Sequence, residues 1–377
     1  MLSTKKYYTL IFAYFIGFVG VTLYNGTNTL DNTTYAISDG ISSKRAKAEP
    51  VSGIPVLAYH QIVSDTWAAQ KNNFYTLDVG TFRSQMEWLT KEGYTTIKLD
   101  TLYAYVTGKK TELPEKPIVI TFDDGTKGFT RHASEILEKH KFTAVLFIFP
   151  NATGKDRNYL NWEDLKKALN KGHEIETHSF THPLLTKMSL KTQTAEFTKA
   201  KKLAQEKLGV NVKWMAYPFG TFNKHTTQAL KDSGYTGAFT VYVGDNQRGQ
   251  NPFFLNRYLV LHGQTLETFA AKIRQKSLPV KPALEPGSFV TEDSEIVFEI
   301  PKGLIKENIR VEVGKEFIRR NKNTNFSYEE KSGKLTVKVK NIYGTYVNVT
   351  IVVSGKNSET RRSTILYIGK RVWKQLK

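Results

Sequence analysis

Between Ile54 and Lys276, short runs rich in β-branched and aromatic residues alternate with segments whose apolar positions recur every three to four residues. Residues 55–59 predict a strand, and residues 79–91 a helix with Phe82, Met86 and Leu89 on one face. Residues 118–122 predict a second strand, 131–141 a helix carrying Ile136 and Leu137, and 144–149 a third strand. Asn161 is placed to cap a helix over 162–171, which Gly172 ends. Strand 173–177, helix 190–208, strand 212–217, helix 224–233 and strand 237–241 follow, and strand 257–261 and helix 266–276 complete the series. This βαβα succession predicts an α/β fold with a parallel sheet, and so many units predict a closed, distorted (β/α) barrel.

Beyond Lys276 the period shortens. Pro279, Pro282 and Pro286 punctuate a linker, and alternating runs follow at 296–300, 309–313, 335–339, 347–353 and 364–368. Ser332-Gly333 and Ser354-Gly355 mark turns between them, so a small all-β sandwich is expected. At the other end, Lys5 and Lys6 precede an uncharged, mostly apolar run over residues 7–24. That pattern predicts a membrane-anchor helix with the body of the chain outside the cell, or a cleaved signal peptide and a secreted or wall-associated protein. Asn25-Gly26-Thr27-Asn28 is a poor cleavage site, and Ala46-Lys47-Ala48 lies too far downstream. The expected order is anchor or signal 1–25, polar stalk 26–50, barrel 51–278, linker 279–287, sandwich 288–370 and basic tail 371–377.

Composition narrows the chemistry. With 22 Phe, 19 Tyr and 5 Trp in 377 residues the chain fills a sizeable core, which excludes wholesale disorder. No cysteine is present, so any metal must sit on histidine and carboxylate. A net charge of +19 implies attraction to anionic surfaces, and composition leaves phospholipid, nucleic acid and a phosphate-bearing cell wall all open. Residues 285–377 contribute 18 Lys+Arg against 11 Asp+Glu. No localised basic stripe marks the chain as a nucleic-acid partner.

Polar residues gather where the predicted strands end, the face on which barrel enzymes carry their sites. Strand 118–122 runs into Asp123-Asp124-Gly125, and strand 173–177 runs into His178 with His182 four positions on. Strand 212–217 leads into Pro218-Phe219-Gly220, and the first strand leads into His60. Each piece has a bland alternative: Asp-Asp-Gly is an ordinary turn, His-x-x-x-His two surface histidines, His60 a core histidine. Sharing one rim is what chance turns have no reason to do.

Thr121-Phe122-Asp123-Asp124-Gly125 and His178-Ser179-Phe180-Thr181-His182-Pro183 resemble the two hallmark motifs of the polysaccharide deacetylases, carbohydrate esterase family 4. Ala216-Tyr217-Pro218-Phe219-Gly220 is similar to the third. The pattern from Pro55 to His60, with Phe82, Gln85-Met86, Leu89 and Gly93-Tyr94, resembles the branch acting on poly-β-1,6-N-acetylglucosamine. The resemblance spans about residues 54–277. It implies a divalent metal, zinc first with nickel, cobalt and manganese as alternatives, held by Asp124, His178 and His182. It further implies Asp123 as general base, the Tyr217 backbone N–H as oxyanion donor and His60 as general acid. In the larger family the acid is a late histidine, which here would be His262. Met215-Ala216 stands where the family carries an arginine that orients the base; Arg257 on the last strand is expected to supply that orientation, with a surface arginine as the bland alternative.

These residue types suit amide hydrolysis, which needs an activated water, a stabilised oxyanion and a protonated leaving amine. The expected partner is an N-acetylglucosamine polysaccharide, with peptidoglycan, chitin oligomers or an O-acetylated polysaccharide as alternatives. A glycosidase is a poorer reading, because adjacent Asp123 and Asp124 do not readily flank a sugar from both sides. A wall-binding protein with an inactive barrel is the third class, against which the intact ligand set speaks.

Overall fold

The computed structural model describes residues 53–66, 73–291, 294–315, 319–321, 325–339, 346–354 and 360–369. A curved parallel sheet is built from β1 (Val56–Tyr59), β5 (Lys116–Asp124), β6 (Val145–Ile148), β7 (Glu174–Thr177), β8 (Trp214–Ala216), β9 (Gly237–Phe239) and β10 (Tyr258–Leu259). Its order is β10-β1-β5-β6-β7-β8-β9, with β4 (Tyr94–Thr96) added beside β5. The short β2 (Gln61–Val63) and β3 (Thr76–Asp78) pair separately.

The sheet is covered on both faces, which is why its strands read as continuous apolar runs. Along β5, Ile118, Ile120 and Phe122 face the outer helices and pack with Phe82, Met86 and Leu89. The alternate residue Val119 belongs to the inner cluster, with Val56, Phe147, Trp214 and Phe239. A helix missed by the sequence reading, Leu99–Val106, plugs that cluster from below through Leu99 and Leu102. Two-residue alternation thus puts Asp123 on the inner face with Val119 and Thr121.

The expectation of a closed barrel is corrected here. Among the described residues β9 and β10 share no ladder; Phe239 of β9 bridges Leu255, which lies ahead of β10. The fold is a distorted half-barrel. The physical reason is the segment 240–257, which bonds β9 through Leu255 and turns away before Tyr258 joins β1.

The expected discrete sandwich behind a linker is also corrected. Additional sheets are present, but their strands begin inside the segment read as the end of the barrel and the linker. β11 (Lys276–Ser277) and β13 (Phe289–Val290) run parallel to β20 (Thr360–Gly369), which continues through β19 (Tyr346–Ser354) and β15 (Ile309–Lys315) to β16 (Arg319–Asn321). β12 (Lys281–Pro282) edges a second sheet with β14 (Glu295–Glu299), β18 (Lys334–Lys338) and β17 (Phe326–Glu329). Pro282 is tolerated there because an edge strand can spare an N–H. Both sheets contribute to one core, Phe298 and Val337 meeting Val311 and Tyr367. Leu366 and Ile368 of β20 pack instead with Tyr217 and Phe222, which fastens these sheets to the half-barrel.

The membrane reading is withdrawn. Among the described residues no helix is long and apolar enough to cross a membrane. Residues 1–25, on which the anchor was placed, lie outside the described residues, as do the stalk 26–50 and the tail 371–377. Neither a membrane partner nor a single-pass location is carried further.

Candidate active site

The site lies at the carboxyl ends of β1, β5, β7 and β8. The loop after β5 separates two consecutive carboxylates. Asp124 adopts φ 67°, a left-handed conformation uncommon for a residue with a Cβ, and so turns away from its neighbour. Gly125 continues the turn at φ 66°, where an added Cβ would lie 2.8 Å from Ile148 Cγ2. Asp123 is left buried at 2% exposure, while Asp124 stays half-buried.

Asp123 is held by Arg257, which is wholly buried. Arg257 Nη1 donates to Asp123 Oδ1 at 2.6 Å and Nη2 donates to Oδ2 at 2.8 Å. Its other donors reach Thr121 Oγ1 at 3.2 Å and the Thr240 carbonyl at 2.9 Å. The guanidinium also stands over the Phe147 and Phe239 rings, 5.7 and 6.0 Å from their centroids. Burial by itself would push the Asp123 carboxyl up. The charges of Arg257, His178 and His60 outweigh that and hold it well below the usual carboxylate range.

His60 Nε2 lies 3.9 Å from Asp123 Oδ2. The ring packs against Tyr75 at 4.7 Å between centroids, and the Thr126 hydroxyl donates to the His60 carbonyl. His60 Nδ1 is without a hydrogen-bond partner among the described residues. His262 follows β10. Its N–H donates to the Phe74 carbonyl at 3.0 Å, and among the described residues no hydrogen bond or ion pair joins it to Asp123, Asp124, His178 or His182.

Asp124 Oδ1 lies 3.8 Å from His178 Nε2 and 3.6 Å from His182 Nε2. One ligand atom from each of the three falls within 4.8 Å of the others. An ion bound at about 2.0–2.1 Å by each donor needs donor separations of about 3.3 Å, so a small inward adjustment fits the set to a tetrahedral metal. His178 Nδ1 meets the Ala216 carbonyl at 2.6 Å, which fixes that ring and turns Nε2 toward Asp124. Desolvation carries both imidazoles down to about 4, against the opposing pull of Asp123. They are therefore neutral at ordinary pH, the form that binds a metal ion. The rings of Phe149 and Phe219 flank His182, with centroids 5.5 and 4.6 Å away.

The expected oxyanion donor is corrected. The Tyr217 N–H donates to the Phe239 carbonyl at 3.0 Å, and its hydroxyl donates to the Phe253 carbonyl at 2.8 Å. Tyr217 is fully buried and committed to the sheet, so it has no donor to spare for substrate. The sequence reading also passed over Thr121 and Thr240, which aim Arg257, and Tyr75, which backs His60. Thr121 was visible inside the first motif; the other two act only through tertiary contact.

Residues 110–238 match the polysaccharide deacetylase family. The chain is 29% identical over 227 residues to YxkH of Bacillus subtilis strain 168, covering 60% of this chain and 78% of that protein. It is 26% identical over 260 residues to the poly-β-1,6-N-acetyl-D-glucosamine N-deacetylase of Staphylococcus aureus strain MSSA476, covering 62% and 87%. The Streptococcus pyogenes deacetylase PplD, solved in complex with acetate, shares the fold with a TM-score of 0.55 at 24% identity, covering 59% of this chain and 98% of that one. The half-barrel and the Asp-Asp, His-x-x-x-His site that it carries are similar to those of the polysaccharide deacetylases, and the chain is a hydrolase of amide bonds.

Proposed function

We propose that the protein is a metal-dependent N-deacetylase that removes acetyl groups from an extracellular N-acetylglucosamine polymer, poly-β-1,6-N-acetylglucosamine before peptidoglycan. The observation that carries this reading is the meeting of two sets at one rim. The set Asp124, His178 and His182 can hold a divalent ion, and the set Asp123, Arg257 and His60 can handle protons, with Asp123 Oδ2 4.0 Å from His178 Nε2.

When bound, a divalent ion supplies Lewis acidity for water activation and for polarising the acetamido carbonyl. Asp123, kept ionised by Arg257, takes the proton of the attacking water. Because both Asp123 oxygens accept from Arg257, the carboxylate is fixed in plane and meets that water without reorganising. His60, 3.9 Å from the same carboxylate, is the proton donor to the departing amine. Phe149 and Phe219 flank His182 and wall that side of the metal set.

The choice of polymer is supported by the Staphylococcus aureus relative and by the His60 pattern of the first strand. Acetate release by the full chain, measured side by side on poly-β-1,6-N-acetylglucosamine and on peptidoglycan, tests it. Faster release from peptidoglycan would reverse the order of substrates, and release from neither would reject the reading.

A further inference from the structure

Glu196 sits on the helix Leu190–Leu208, outside all the motifs named above. Its carboxylate accepts from the backbone N–H of Phe180 at 3.2 Å and of Thr181 at 2.9 Å. It also accepts from the Thr181 hydroxyl, at 3.0 and 3.1 Å to its two oxygens. One helical turn on, Lys199 Nζ stands 4.1 Å from the centroid of the Phe180 ring. This helix therefore grips the two residues in the middle of the loop from His178 to His182.

That loop needs gripping. Ser179 and His182 both adopt left-handed backbone, φ 62° and 57°, which residues with a Cβ rarely take. Such conformations persist when surrounding contacts over-determine them. From within, the Ser179 hydroxyl accepts from the His182 N–H at 3.0 Å, and the Ser179 N–H reaches Met215 Sδ. The Asn151 N–H donates to the Phe180 carbonyl at 3.1 Å. Glu196 takes the Phe180 and Thr181 N–H groups with a charged acceptor, the stronger class of hydrogen bond.

We propose that Glu196 is a positioning residue that sets metal affinity by holding the loop in the shape that points His182 Nε2 at Asp124. The proposal rests on the reading of Asp124, His178 and His182 as the ligand set. Glu196 touches none of the three, so its effect passes through the backbone of residues 180 and 181.

The test is calorimetric titration of zinc into the metal-free full chain, in the parent and in E196A, E196Q and H182A. It is paired with hydrogen exchange at the Phe180 and Thr181 amides before any metal is added. E196A is expected to bind zinc about 10- to 100-fold more weakly, the usual loss when a group behind a ligand is removed. Both amides should exchange faster, and turnover at saturating zinc should return to within a few-fold of the parent. E196Q keeps a neutral acceptor and should fall between them. Equal zinc affinity in the parent and E196A overturns the proposal, even if exchange quickens. If E196A fails to fold, parent affinity in E196Q overturns it instead. A parent that binds zinc no better than H182A rejects the ligand set itself, and the role of Glu196 with it.

Discussion

Arg257 and Asp123, separated by 134 positions in the chain, close on each other through two parallel hydrogen bonds of 2.6 and 2.8 Å on the inner face of the sheet. Neither side chain is more than 2% exposed. A buried ion pair of this kind is weak support for stability, because desolvation opposes it, but removal of one partner leaves a buried charge unmatched. Arg257→Leu is therefore expected to lower stability by about 3–5 kcal/mol and to raise the Asp123 pKa. Denaturant unfolding checks the first outcome and the acid limb of the rate profile the second. An unchanged profile in a folded variant would separate Arg257 from the base.

Asp123→Asn should keep its metal and lose turnover, since an amide cannot take a proton from water. Asp124→Asn, and His178→Ala or His182→Ala, should lose both, because three ligands leave no redundancy. Metal content by atomic absorption beside acetate release distinguishes the two groups. Equal metal and equal residual rates across all four variants would show that the roles are misassigned.

His60 faces Asp123 whereas His262 bonds the chain at Phe74. His60→Ala is expected to lose at least ~10²-fold in turnover with metal content unchanged, the lower end for a general acid. His262→Ala should stay within a few-fold of the parent. The reverse pattern of rates would move the acid to the late histidine of the larger family.

Metal-free protein should lose stability as pH falls. His178 and His182 take up protons only at about 4 when folded, below the ordinary 6.5 of the unfolded chain. Between those values the unfolded chain binds more protons, so folding is favoured above 6.5 and the advantage drains away as pH falls through 4. His173, desolvated and beside Lys98 and Lys171, acts in the same direction. Thermal midpoints at pH 7.5, 5.5 and 4.5 should fall in that order, and zinc should raise them least at the lowest pH. A flat series would remove the buried histidines from the account.

Local sequence determined the elements whose signals are local. The helix Val79–Lys91 shows its period, and Asn161 with Asp164 forms the capping box that starts the helix Trp162–Asn170. The consecutive carboxylates and the paired histidines were legible because backbone spacing alone puts each pair at one strand end. What tertiary structure decided depends on contacts between distant segments. It left the sheet a half-barrel, with no ladder between β9 and β10 among the described residues, and it drew strands for the additional sheets out of an apparent linker. It spent the Tyr217 N–H on Phe239, brought Arg257 rather than a neighbour in sequence to Asp123, and set His60 beside the same carboxylate. Hydrogen-bond partners across a parallel sheet come from segments far apart in the chain, and no local period records which donor reaches which acceptor.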